Sequence, residues 1–208
     1  MNSKFIVIAT GPSLSEQQIS TIKFIKNEHN PTVIVINDAY KLLKNADYLY
    51  CGDVDWIETY KADILDSFTG TVVMPDRASQ IFVEKNPWVN TVKCYTYKGL
   101  YKDNTAINCG RNSGYQAVHY ARNLGAKTIV LFGFDMNSSN GKEHFFGSHP
   151  GHLRSPVKQF SSFIEHFRHL VSDIKKEGIT ILNATGPNSK LNEFIDTINE
   201  NQLIGNIF

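Results

Sequence analysis

Three histidines fall within nine residues, His144, His149 and His152, inside a stretch over 137–154 that is rich in Gly, Ser, Asn and Pro and also carries Phe145, Phe146 and Arg154. A neutral imidazole near its ordinary pKa takes a proton near pH 7 or ligates a metal. Gly147, Pro150 and Gly151 break up the spacing, so the cluster lacks the helical pair of a zinc protease, and no metal site is assigned to it. Role-free surface histidines are the plain alternative. A second group is Ala9-Thr10-Gly11-Pro12-Ser13-Leu14, where glycine lets the main chain approach a phosphate closely. It has neither the GxGxxG spacing nor a Walker lysine, and a tight turn with a serine cap explains it equally well. Asn37 and Asp38 form a third group, with an amide suited to a base or ribose; Asp53 and Asp55 add carboxylates suited to hydroxyls. Asp53-Val54-Asp55 also has the DxD form that holds a divalent metal on a diphosphate, or it caps a helix. Arg111-Asn112-Ser113-Gly114 offers an anion site at a helix start, unless Ser113 only caps and Gly114 only packs. Asp135, after Gly133-Phe134, adds one more carboxylate.

These residues act together only if the chain brings them to one edge. Segments rich in β-branched and aromatic residues recur at 4–10, 32–37, 47–52, 71–75, 91–97, 128–133 and 180–185 and predict strands. Helical periodicity falls between several of them: 15–27 with Ile19, Ile22 and Ile25 on one face, a shorter 39–44, and a helix from Ser113 to Leu124 stopped by Gly125. From Ser155, the residues Val157, Phe160, Ile164, Phe167, Val171 and Ile174 form one stripe that ends at Gly178 and reads as core. The alternation predicts a Rossmann-like α/β fold: a mostly parallel, twisted sheet of six to seven strands with helices on both faces. In such a sheet Gly11, Asn37, Asp53 and Asp135 all stand at carboxyl strand ends, where ligands bind. His119, His166 and His169 lie on predicted helices and read as structural or solvated. The loop over 137–154 is too long for a plain connection and reads as a lid.

The 208 residues suit one domain, 1–208, and 41% hydrophobic with 20% charged residues places the chain among ordinary globular proteins. No apolar run reaches membrane-spanning length, and the first residues lack a signal-peptide pattern, so a cytoplasmic location is expected. Cys51, Cys94 and Cys109 are odd in number and without a CxxC pair, which argues for reduced core thiols. A net charge of +1 gives no footprint for nucleic-acid binding.

In order along the chain, Gly11-Pro12-Ser13-Leu14, Asn37, Ser113-Gly114, Gly133-Phe134-Asp135, Ser148-His149-Pro150-Gly151-His152 and Pro187-Asn188-Ser189 resemble the bacterial lipooligosaccharide sialyltransferases, a metal-independent family with a Rossmann-like fold. The resemblance implies that Gly11, Ser13 and Asn37 bind a cytidine nucleotide. It further implies that Ser113, Gly114, Asn188 and Ser189 complete the donor site and that His152 is the catalytic base; His149 and His144 are then expected as neighbours that orient groups or contact phosphate. The family's leaving-group tyrosines have no equivalents here, since Asn137 and His144 stand near the expected positions. The segments from Asn37 to Trp56 and from His144 to Pro150 look more like uncharacterised phage and prophage proteins, which resemble a pterin diphosphokinase-like family sharing the Gly-Pro-Ser-Leu loop. The leading expectation is a glycosyltransferase that passes a sugar from a nucleotide-linked, possibly cytidine-linked, donor to a hydroxyl acceptor and needs no cofactor. The alternatives are magnesium-dependent phosphoryl or diphosphoryl transfer, with the metal on Asp53 and Asp55, and a non-catalytic nucleotide-binding protein. Neither the acceptor nor the oligomeric state is legible.

Overall fold

A computed structural model describes residues 3–77, 80–139, 141–153 and 159–208; Arg154, Ser155 and Val157 lie outside the described residues. The chain runs β1 (Lys4–Ile8), α1 (Glu16–His29), β2 (Thr32–Ile36), a 3-10 turn (Asn37–Lys41), β3 (Tyr48–Tyr50), α2 (Val54–Ser67), β4 (Thr71–Pro75), α3 (Gln80–Lys85) and β5 (Val89–Tyr95). It continues through β6 (Ala106–Asn108), α4 (Ser113–Asn123), β7 (Thr128–Phe132), α5 (Phe160–Lys176), β8 (Thr180–Asn183) and β9 (Asp196–Thr197).

All nine strands join one parallel sheet in the order β6-β5-β4-β3-β2-β1-β7-β8-β9. The central strands KFIVI, TVIVI and TIVLF are almost wholly apolar because helices cover both faces. Period-two alternation divides them between two cores. Ile6 and Ile8 pack with Ile22 and Ile25 of α1 and Trp56 of α2, while Phe5 and Val7 pack with Val118 of α4 and Phe167 of α5. Strand order reverses between β1 and β7, which opens a crevice at their carboxyl ends.

Several expectations change. The sheet has nine strands rather than six to seven; β6 and β9 have only three and two residues, too few to show a pattern. β5 starts at Val89, two residues ahead of the expected position. The expected helix over 39–44 is a 3-10 turn, its Asp38 carboxylate held by Trp56 Nε1 at 2.7 Å. Helix α2 begins inside the DxD segment with Asp53 as its cap, as the capping reading of that segment expects. Ser113 is not the cap of α4: Asn112 is, its side chain accepting from Tyr115 N at 3.0 Å, and Ser113 is the first helical residue. Among the described residues, α5 begins at Phe160 and ends before Gly178, whose φ of 74° permits the left-handed stop. Cys51 and Cys94 are buried and Cys109 half-buried, all as free thiols. No described helix is long and apolar enough to cross a membrane.

Candidate functional site

The carboxyl ends of β1, β2 and β7 and the start of α4 enclose a cleft of about 170 Å³. Gly11, Asn37, Ser113, Gly114, Asp135 and His144 line it. Three of the four non-glycine residues with positive φ among the described residues gather here: Asn37 (47°) and Met136 (52°) in its wall, and Arg111 (57°) just before α4. Such conformations cost energy and concentrate where a site needs a group aimed in one direction.

Asn37 turns the chain from β2 into the 3-10 turn, and its Oδ1 is buried without a hydrogen-bond partner among the described residues. A buried acceptor left this way costs roughly 1–3 kcal/mol unless a ligand or water supplies a donor. At the start of α4, Asn112 Oδ1 takes the Tyr115 amide, while Ser113 N and Gly114 N have no hydrogen-bond partner among the described residues. These two amides stand at the positive end of α4, where an anion is favoured. Ser113 Oγ accepts from Gly52 N at 3.3 Å and ties α4 to the end of β3.

Asp135 is 3% exposed, and its Oδ2 accepts from Ser13 Oγ at 2.8 Å and Ser13 N at 3.4 Å. Burial pushes its pKa up, with the Ser13 bonds acting in the opposite direction. Gly11 has no side chain because none fits: a Cβ there would overlap Asp135 Oδ2 and the Gly133 carbonyl. The glycine is therefore required by the packing of the β1 turn on the end of β7, whatever binds.

The three histidines separate. His144 lines the cleft, with Nδ1 3.0 Å from Thr10 Oγ1 and its ring stacked on Phe146 at 5.0 Å. Burial and the neighbouring His149 hold its pKa below the ordinary histidine value. His149 stands behind it, ring centroids 4.6 Å apart, with its buried Nδ1 unpartnered and 3.7 Å from Asp38 Oδ2. Its pKa is also lowered, by burial, against the pull of Asp38. His152 is exposed on a short 3-10 turn, Nε2 3.1 Å from Thr59 Oγ1 of α2, and is not in the cleft wall. The loop bearing them lies over the β1 turn, with Phe145 N donating to Thr10 O at 3.0 Å.

Other expected residues lie outside the described cleft wall. Arg111 is exposed and Pro12 half-buried, both outside the described cleft wall. Asn188 is exposed, its carbonyl accepting from Asn137 Nδ2 at 2.7 Å. Ser189 Oγ donates to Phe134 O at 2.7 Å and accepts from Asn183 Nδ2 at 2.9 Å and Leu191 N at 3.3 Å. That uses its one donor and both lone pairs, so no capacity remains for a ligand. Asp53 caps α2, Oδ1 accepting from Asp55 N at 2.9 Å and Trp56 N at 3.4 Å. Among the described residues no three His, Cys, Asp or Glu side chains form a metal-binding group. The exposed Asp53 and Asp55 fit only the partial kind of magnesium site that a substrate's phosphates complete. Thr10, part of the first candidate segment, lines the cleft beside Gly11, and so does Glu143, which no sequence signal marks.

A doubly wound parallel sheet with a polar cleft at its switch point is the architecture of nucleotide-binding α/β proteins. The chain belongs to the 6-hydroxymethylpterin diphosphokinase MptE-like family, whose model matches residues 1–141. Two solved structures of the sialyltransferase CstII from Campylobacter jejuni share the fold. The complex with the substrate analogue CMP-3FNeuAc matches at 16% identity and TM-score 0.60, over 94% of this chain and 86% of that one. The complex with cytidine-5'-monophosphate matches at 16% identity and TM-score 0.55, over 96% and 87%. No curated protein matches the sequence.

Proposed function

We propose that the cleft binds a nucleotide by its phosphate and sugar-base portion and that the protein is a transferase moving a sugar from a nucleotide-linked donor to a hydroxyl acceptor. The observation that carries this reading is Asn37, held at φ 47° with a buried, unpartnered Oδ1 in the cleft wall. A base amine or ribose hydroxyl is the donor it lacks. The phosphate belongs on the free Ser113 and Gly114 amides. One helix start suits a single phosphate better than a triphosphate. CMP-3FNeuAc, bound by the fold relative CstII, carries a single phosphate.

In this reading His144 is the base, a role that the sequence resemblance gives to His152. In the tautomer whose Nδ1 proton faces Thr10 Oγ1, 3.0 Å away, Nε2 takes the acceptor's proton as the new bond forms. Its lowered pKa keeps the ring neutral at pH 7. A second reading is favoured by the family description: magnesium-dependent diphosphoryl transfer to a small metabolite, with Asp53 and Asp55 contributing to the metal once phosphates are present.

Calorimetric titration with cytidine 5'-monophosphate and with ATP, each with and without magnesium, separates the two. The expected outcome is metal-independent binding of the monophosphate, weakened about fivefold in Asn37→Ala for the loss of a hydrogen bond of about 1 kcal/mol. Binding of ATP alone, and only with magnesium, selects the second reading; no binding of either discards both.

A further inference from the structure

A second cavity, of about 520 Å³, opens at the carboxyl ends of β8 and β9. It meets the first through one hydrogen bond, since Ser13 lines it and donates to Asp135 of the cleft wall. Its volume lies within the roughly 300–1,000 Å³ usual for small-molecule sites.

The back of this cavity is fixed. Gln18 Nε2 donates to the carbonyls of Ala184 at 3.0 Å and Thr185 at 3.3 Å, and Asn183 Oδ1 accepts from Thr185 N at 3.2 Å. Its rim keeps capacity in reserve. Glu200 Oε2 accepts from Thr21 Oγ1 at 2.7 Å and Gln17 Nε2 at 3.3 Å, leaving Oε1 uncommitted. Asn199 uses Oδ1 to take Gln202 N at 2.9 Å, leaving its Nδ2. The side chains of Asn188 and Thr197 make no hydrogen bond to described residues. The rim thus offers amide donors, hydroxyls and one carboxylate, and the described lining holds no Lys, Arg or His. A carboxylate accepts from vicinal hydroxyls and repels phosphate, while amides and hydroxyls serve either role.

We propose that this cavity binds a neutral, hydroxyl-rich ligand, and that this ligand is the acceptor of the transfer. The acceptor role rests on the reading given under Proposed function; the binding chemistry does not. Ser13 and Asp135 form the wall between this cavity and the nucleotide cleft, so a ligand hydroxyl at the Ser13 end lies on the far side of that wall from the cleft.

The test is saturation-transfer difference NMR on the full chain with methyl α-D-glucopyranoside, myo-inositol, cytidine and inorganic phosphate as separate probes. The glucoside or the inositol is expected to give signal that falls at least threefold in Asn188→Ala/Thr197→Val and in Glu200→Gln and is unchanged in Asn37→Ala. Both pocket variants preserve the fold contacts, because Asn188 and Thr197 are exposed and a glutamine still accepts from Thr21. Absence of polyol signal in the wild type, signal indifferent to the pocket variants, or displacement of the polyol by cytidine or phosphate overturns the proposal. Polyol binding without any nucleotide binding in the calorimetry leaves the pocket standing and removes its acceptor role.

Discussion

The turns after β1 and β3 spend their polar side chains in different ways. At the first, Thr10 meets His144 at 3.0 Å and Ser13 meets Asp135 at 2.8 Å, so its partners come from β7 and the loop beyond it. At the second, Asp53 binds the amides of the helix it begins, and Thr59, one turn further, meets the exposed His152. The first turn is cross-linked into a cleft that retains an unsatisfied acceptor and two free amides; the second mostly closes on itself. Residue type alone does not mark a site, because a carboxylate already spent on capping has less to give a ligand.

The largest effect that can break this contrast is catalytic. With an identified donor and acceptor, His144→Ala should lower turnover about 10²-fold to 10⁴-fold, and His152→Ala less than about threefold. The reverse order would return the base to the α2 side. The pH profile gives the same answer independently. Because the folded pKa of His144 is lowered, the neutral ring persists below the ordinary value of about 6.5. Activity should therefore be lost only as pH falls through that lower value, and this acidic limb should vanish in His144→Ala.

A stability comparison comes next. Gly11→Val drives a side chain into Asp135 Oδ2 and a backbone carbonyl and should cost about 3 kcal/mol or more in denaturant unfolding. At Gly52 an added Cβ sits 3.0 Å from Ser113 Oγ and 3.2 Å from Gln116 Oε1, and Gly52→Ala should cost about 1 kcal/mol. Equal costs would mean that the first turn is not packed as tightly as described. The smallest effect is expected from Asp53→Ala, about 1 kcal/mol of stability for a lost cap, with monophosphate binding unaltered. A selective loss of ATP binding in that variant would sharpen the case for magnesium.

The architecture was legible because the central strands bury both faces and are written in uninterrupted apolar residues. Ile19, Ile22 and Ile25 of α1 and Phe167, Val171 and Ile174 of α5 were legible for the same reason. The start of helix α2 was legible as the capping reading of Asp53 and Asp55, but its extent was not, because only Trp56, Ile57 and Ile64 mark its buried face. The convergence of Gly11, Asn37, Ser113, Gly114 and Asp135 on one cleft follows from strand-end position, which order along the chain reveals. The separation of His144 from His152 does not. It depends on the path of an irregular loop, where no periodicity ties sequence to direction. Ser189 illustrates a further limit, since its three hydrogen bonds come from distant segments and only coordinates show that its capacity is exhausted.

The described sheet ends on two short strands, β6 and β9, with three and two residues. Exposed strand edges are templates for recruiting another chain, and their reach grows with the number of unpaired backbone groups in a row. Margins this short offer a passing strand few such groups to grip. A fold built wholly from parallel pairings closes distant parts of the chain and assembles slowly, which lengthens its exposure to neighbours during synthesis. The short margins limit what those neighbours can hold once the centre has formed.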